Sequence, residues 1–129
     1  MSHITSLAEI VLWTADKEKA LGFYQKLLGL ELISPPTLPN AFLRAGDSGV
    51  GIPQMIVLVP MRPEMLDQPR RGQLHHIAFA LTPDGFDAQQ TALQTAGLAT
   101  RGGKHPVLAC RTFYVDDPDG NEVEFICKE

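Results

Sequence analysis

The sequence predicts an α+β fold of two tandem βαβββ modules, on three observations. The order of strand, helix, glycine stop and three further strands is written twice along the chain. A shift of 67 residues lays Ile10 on Ile77, Leu12 on Phe79 and Glu9 on His76, and carries Val57 onto Glu124. The second copy closes on residues 112–125, TFYVDDPDGNEVEF, which read as strand, tight turn and strand. Two such modules related by a pseudo-two-fold bring equivalent strands together around one cleft.

In the first module, about residues 4–60, the near-continuous apolar run at 7–13 is a strand interrupted by Glu9. Period two puts Glu9, Val11 and Trp13 on one face and Ala8, Ile10 and Leu12 on the other. A helix over 17–28 follows. Asp16 is its N-cap, Ala20, Leu21, Tyr24, Leu27 and Leu28 its apolar stripe, and Gly29 its stop. Strands follow at 30–34, 40–45 and 54–59, punctuated by Pro35-Pro36, the glycine-rich 46–53 and Pro60. Residues 61–72, with two prolines, three arginines and little periodicity, form the linker.

The second module, about 73–128, opens on a strand at 74–81 (LHHIAFAL). Thr82-Pro83-Asp84-Gly85 reads as a turn and 86–96 as a helix stopped by Gly97, which lies 68 residues after Gly29, an offset that one loop residue explains. A short strand at 98–101, a loop at 102–106 and strands at 110–115 and 121–127 complete it. In the last turn, proline presets φ, aspartate bonds back to its own backbone and glycine accepts a positive φ.

Length and composition bound the function. The 129 residues suit one domain, 44% hydrophobic and 20% charged. A net charge of −4 argues against nucleic acid as a partner. No apolar run approaches the roughly 20 residues of a membrane span, and no signal-peptide pattern opens the sequence. Cys110 and Cys127 are too few for a disulfide scaffold, so both are expected reduced and the protein cytoplasmic.

Three ionisable residues interrupt apolar strands at places that the repeat or the period singles out: Glu9, His76 and Glu124. His76 shares its face with Ala78 and Ala80, small neighbours that leave room around the imidazole. Singly, each has a bland explanation: an exposed edge, a hydrogen-bonded core histidine, a solvated acid. Jointly, two carboxylates in one cleft would repel, at a cost of several kcal/mol when partly buried, and a divalent cation removes that cost. One imidazole and two carboxylates suit Mn, Fe or Zn and leave positions open for substrate and water. Glu122 shares the face of Glu124 but sits nearer the turn, where solvent is its expected partner.

The stretches EIVLWTADKEKALGFYQKLLGLEL (9–32), HIAFAL (76–81) and FYVDDPDGNEVEF (113–125) resemble the vicinal oxygen chelate superfamily. It contains glyoxalase I, extradiol dioxygenases, fosfomycin-resistance enzymes and bleomycin-resistance proteins. The resemblance covers nearly the whole chain and implies paired βαβββ modules forming a curved mixed sheet around a metal cleft, commonly in a homodimer whose clefts are shared between chains. It implies metal ligands at Glu9, His76 and Glu124, with Mn, Fe, Ni or Zn as the divalent cofactor. Most three-ligand members carry histidine where Glu9 stands, and glyoxalase I carries a fourth ligand where Val57 stands, which argues against that activity. The dioxygenase-like and fosfomycin-enzyme-like branches, acting on a small oxygen-chelating substrate, fit better, and a metal-free bleomycin-resistance-like binder is the alternative. Tyr114 matches a tyrosine whose hydroxyl donates to the substrate in both three-ligand branches. Thr112 shares its face, and Lys104 and Arg111 lie in or beside the loop that holds an anionic substrate in the fosfomycin enzymes. Trp13, Phe42 and Met55 are candidates for an apolar pocket wall, with Val57 beside them.

Overall fold

The computed structural model describes residues 2–3, 6–49, 51–67 and 74–129. The chain divides into two compact units, Met1–Pro69 and Arg70–Glu129. Each is a βαβββ module with a four-stranded mixed sheet, so the fold is α+β. The linker expected at 61–72 includes a short 3-10 turn, Pro63–Met65, and its residues 68–72 lie outside the described ones. Among the described residues no helix is long and apolar enough to cross a membrane.

In the first unit β1 (Glu9–Thr14) pairs parallel with β4 (Pro53–Pro60). β3 (Ala41–Asp47) pairs antiparallel with β4, and the two-residue β2 (Glu31–Leu32) with β3, giving the order β1-β4-β3-β2. Leu12 and Thr14 are buried, whereas Glu9, Val11 and Trp13, which period two puts on one face, are all exposed. Helix α1 (Lys17–Leu21) starts on Asp16, whose side chain accepts from the Lys19 N–H at 3.2 Å.

The helix departs from expectation after Leu21. Residues Gly22–Leu27 are π-helical, closing through Leu28 N–H to Phe23 C=O at 2.9 Å. An i→i+5 turn rotates less per residue than an α-turn, so the consecutive Phe23 and Tyr24 both point inward, ring centroids 4.9 Å apart and edge to face. Of the expected stripe Ala20 and Tyr24 are buried, while Leu21, Leu27 and Leu28 are only half-buried and Phe23 takes their place in the core. Gly29 then takes φ 75°, as a C′ stop requires.

The second unit has the order β5-β8-β7-β6. β5 (Ile77–Ala80) pairs parallel with β8 (Glu122–Lys128), and β7 (Cys110–Asp116) lies antiparallel between β8 and β6 (Arg101–Lys104). The shift of 67 holds at the level of register: Ile10 pairs with Ile56 as Ile77 pairs with Val123, and Val11 with Val57 as Ala78 with Glu124.

The strand expected at 30–34 is reduced to Glu31–Leu32, and three boundaries of the second unit also differ from the sequence reading. The strand expected at 74–81 is only Ile77–Ala80, which leaves His75 and His76 just ahead of the ladder. Thr82-Pro83-Asp84-Gly85 is not a free turn but the start of α2 (Pro83–Thr95). Thr82 caps it, accepting from Gly85 N–H at 3.1 Å, and Pro83 occupies the first turn, where a missing N–H costs nothing. The strand expected at 98–101 lies instead at Arg101–Lys104, where a loop was expected. Cross-strand pairing with β7 outweighs the weak strand preference of Gly102 and Gly103. At the far end of α2, Leu98 N–H reaches Leu93 C=O and Gly97 N–H reaches Gln94 C=O, both at 3.0 Å, with Gly97 at φ 89°.

Ile77, Phe86, Leu93, Phe113, Val115, Val123, Phe125 and Cys127 make the core of this unit. Phe113 stacks on Phe125 at 4.7 Å and meets Phe86 edge-on at 4.9 Å. Cys110 and Cys127 are both free thiols.

The turn joining β7 to β8 is built on a buried carboxylate. Asp117 Oδ1 accepts from Asp119 N–H at 2.9 Å and Asn121 N–H at 2.8 Å, and its Oδ2 from the Asn121 side-chain amide at 2.8 Å. Replacing it by alanine strands these donors and is expected to lower stability by about 2–3 kcal/mol in urea unfolding. A loss below about 0.5 kcal/mol would mean the turn holds without its carboxylate.

Candidate metal centre

The turn sets the register of β8 against β7, and that register pairs Tyr114 with Glu124 and Thr112 with Ile126. Alternation sends Val123, Phe125 and Cys127 into the core and turns Glu124 to the opposite face, beside Thr112 and Tyr114. Glu124 is nonetheless buried, its side chain 6% exposed, and His76 Nε2 stands 3.8 Å from its Oε2. The His76 ring crosses that of Tyr114 edge to face at 6.0 Å. The second unit thus brings together His76, Thr112, Tyr114 and Glu124.

The Tyr114 phenol is held above its ordinary pKa, first by its hydrogen bond to Glu124, then by burial and by the negative charge of that carboxylate. A raised value keeps the proton on the phenol, so Tyr114 is a donor at neutral pH. Its contribution to stability is complete below the unfolded phenol value of about 10 and is lost as pH rises through the folded one. A difference absorbance titration of the protein against its Tyr114→Phe variant should show a phenol ionising later than free tyrosine. Ionisation at or below the ordinary value would contradict the bond to Glu124.

Thr112 Oγ1 is, among the described residues, the buried side-chain polar atom with no hydrogen-bond partner. Gly103 on β6 lies against it: a Cβ there would come within 3.2 Å of that oxygen and 3.8 Å of the Tyr114 ring. An unsatisfied buried hydroxyl is costly, and at a ligand site it is a donor in reserve.

His76 and Glu124 fit a divalent cation. The 3.8 Å between their ligand atoms is less than two bonds of about 2.0–2.2 Å laid end to end, so one ion can touch both, and an imidazole with a carboxylate suits Mn, Fe, Ni or Zn. A second grouping joins His76 to two residues outside the expected ligand set, His75 and Glu122. Ligand atoms of His75, His76 and Glu122 lie within 4.8 Å of one another. Glu122 was expected to face solvent; it also accepts from Arg101 at 3.3 Å, while Arg101 bonds Asp116 at 3.0 Å. The paired histidines at 75–76 were the available signal, but the partnership with Arg101 depends on where β6 falls.

The other sequence candidates scatter. Glu9 is exposed at the start of β1, and Val57 is buried at 2%. Phe42 pairs with Val57 as Tyr114 pairs with Glu124, so the first unit has an apolar pair where the second has a polar one. Met55 pairs with Glu9 on the neighbouring strand, and Trp13 is 45% exposed. Lys104 lies in β6 rather than a loop, its exposed ammonium 3.7 Å from Glu129. Arg111 is on the α2 side of β7, bonded to Asp87 at 3.1 Å and over the Phe86 ring at 4.6 Å. Odd and even positions of β7 face opposite ways, which separates Arg111 from Thr112 and Tyr114.

Tandem βαβββ modules, the second of which gathers an imidazole, a buried carboxylate and a tyrosine, define a class of two-module α+β proteins. The chain belongs to the Glyoxalase/Bleomycin resistance protein/Dioxygenase superfamily, whose family model matches residues 6–125. No protein of curated function matches it. Among solved structures it is similar to a glyoxalase/dioxygenase from Nostoc punctiforme, at 23% identity and TM-score 0.74 over 98% of this chain and 93% of that one. A lactoylglutathione lyase from Agrobacterium tumefaciens aligns at 21% identity and TM-score 0.70, over 98% and 96%. TnmS3, an antibiotic binding protein from Streptomyces sp. CB03234, aligns at 25% identity and TM-score 0.66 over the full length of both chains.

Proposed function

We propose that the protein is a divalent-metal-dependent enzyme of the three-ligand kind, acting on a small oxygen-chelating substrate in the manner of the dioxygenase-like or fosfomycin-enzyme-like branches. His76 and Glu124 are two of its ligands. Glu9, the residue that the repeat places on His76, is the third, supplied by this chain or by a second copy in a homodimer. The observation that carries the reading is the approach of the His76 imidazole to a buried carboxylate at 3.8 Å.

Bound there, a divalent cation supplies Lewis-acid polarisation of a substrate oxygen. The residues around it have separate tasks. Tyr114, kept protonated beside Glu124, donates to a substrate oxygen that gains negative charge. Thr112 offers a second buried hydroxyl on the same face. Burial of Glu124 on a strand whose far side is core fixes the carboxylate in place.

Elemental analysis of the purified protein, followed by titration with Mn, Fe, Ni and Zn, tests this. One ion per chain is expected, lost in His76→Ala. Absence of stoichiometric binding, with His76→Ala indistinguishable from the parent, would sink the proposal.

A second reading is favoured by a specific observation: Val57 and Phe42 put apolar side chains where the second unit has Glu124 and Tyr114. Together with the fold shared with TnmS3, this supports a metal-free binder that sequesters a small molecule. Thermal stabilisation by candidate compounds in the presence of EDTA would favour it over the enzyme.

A further inference from the structure

The His76 imidazole has two polar neighbours. Its Nε2 faces Glu124 Oε2 at 3.8 Å, and its Nδ1 lies 2.8 Å from Nδ1 of His75, the two rings meeting edge to face at 5.0 Å. Consecutive residues of a strand point to opposite faces and could not make this contact. It exists because the ladder begins only at Ile77, leaving the backbone at 75–76 free to turn both rings together.

Two ring nitrogens 2.8 Å apart need one proton between them, because two lone pairs would repel and two N–H groups would collide. The owner of that proton decides what His76 can do. A neutral imidazole has one N–H and one lone pair. If His76 carries its proton on Nδ1, then Nε2 keeps its lone pair on the side of Glu124. If His75 donates instead, Nε2 of His76 carries the proton and cannot ligate a cation. An Nε2–H aimed at a carboxylate would close to hydrogen-bond distance, and 3.8 Å is too long for that bond.

We propose that His75 is a positioning residue: its Nδ1 accepts the Nδ1–H of His76, fixing the tautomer and ring orientation that turn the Nε2 lone pair toward Glu124. The consequence for metal affinity rests on the metal reading above, whereas the tautomer is a property of the metal-free protein. Removing such an outer partner of a ligating histidine costs about 10–100-fold in metal affinity.

Nitrogen-15 NMR of the imidazoles in metal-free protein, which reads the proton on each ring nitrogen separately, tests the assignment directly. The expected spectrum has His76 protonated at Nδ1. His75→Ala should move that proton toward Nε2, and His75→Asn, whose amide oxygen can take the place of Nδ1, should restore it. Metal titrations of the same variants should show a loss of about 10–100-fold in His75→Ala and recovery in His75→Asn. His76 protonated at Nε2 in the parent, or a tautomer indifferent to His75→Ala, would overturn the proposal. A tautomer that follows His75 in a protein that binds no metal would support the positioning and defeat the metal reading alone.

Discussion

Glu124→Gln is expected to abolish stoichiometric divalent-metal binding, lowering affinity by at least about 100-fold, because even outer-sphere changes cost about 10–100-fold. The substitution keeps the shape of the side chain and its place opposite Tyr114, but replaces an anionic ligand by a neutral amide. Folding should be nearly unaffected. The carboxylate is buried opposite Tyr114, so a neutral side chain of the same shape lowers the cost of burial and keeps an acceptor oxygen on that face. The Tyr114 phenol should ionise closer to its ordinary value once the neighbouring charge is gone. Isothermal titration with Mn or Zn, set beside thermal unfolding, separates the two effects. Retained affinity in a folded Glu124→Gln protein would remove Glu124 from the ligand set.

The largest stability effect is expected at Phe113. Its ring is fully buried, stacked on Phe125 and capped edge-on by Phe86, while Phe79 stacks on the other partner, Phe125, at 6.0 Å. Phe113→Ala removes the centre of that cluster and leaves a cavity between β7 and α2. A loss of about 3–5 kcal/mol is expected from urea unfolding, a large part of the 5–15 kcal/mol typical of a domain. Val107→Ala, at a residue 84% exposed, is the control and should change stability by no more than about 0.5 kcal/mol. A Phe113→Ala loss below about 1 kcal/mol would mean that the aromatic cluster is not the core of the second unit.

What the sequence made legible was local. Asp16 as a cap, Gly29 and Gly97 as stops and the Asp117–Asn121 turn all act through their own backbone neighbourhood, and each is found where expected. The repeat was legible as well, because a shared register leaves the same spacing in both halves, down to Val57 falling on Glu124. Features that depend on long-range pairing were not. The π-helical turn that buries Phe23 answers to packing rather than to periodicity. Gly102 and Gly103 look like loop until β7 pairs with them, and that misplacement hid the link from Arg101 to Glu122. On a strand running 74–81, His75 would share the helix-facing side with Ile77 and Phe79, opposite His76, and only the late start of β5 lets it reach His76. Arg111 was close in sequence to Tyr114 and yet faces α2, since one residue along a strand is a change of side.

The central claim is that one divalent cation is held by His76 and Glu124 together with a Glu9 carboxylate. Anomalous diffraction from crystals soaked in Mn or Zn tests it most directly. The predicted result is a single strong peak within ligand-bond distance, about 2.0–2.2 Å, of His76 Nε2 and Glu124, with a Glu9 carboxylate as the third protein ligand. A crystal without a peak there, or with its peak held by His75 and Glu122 instead, would contradict the account.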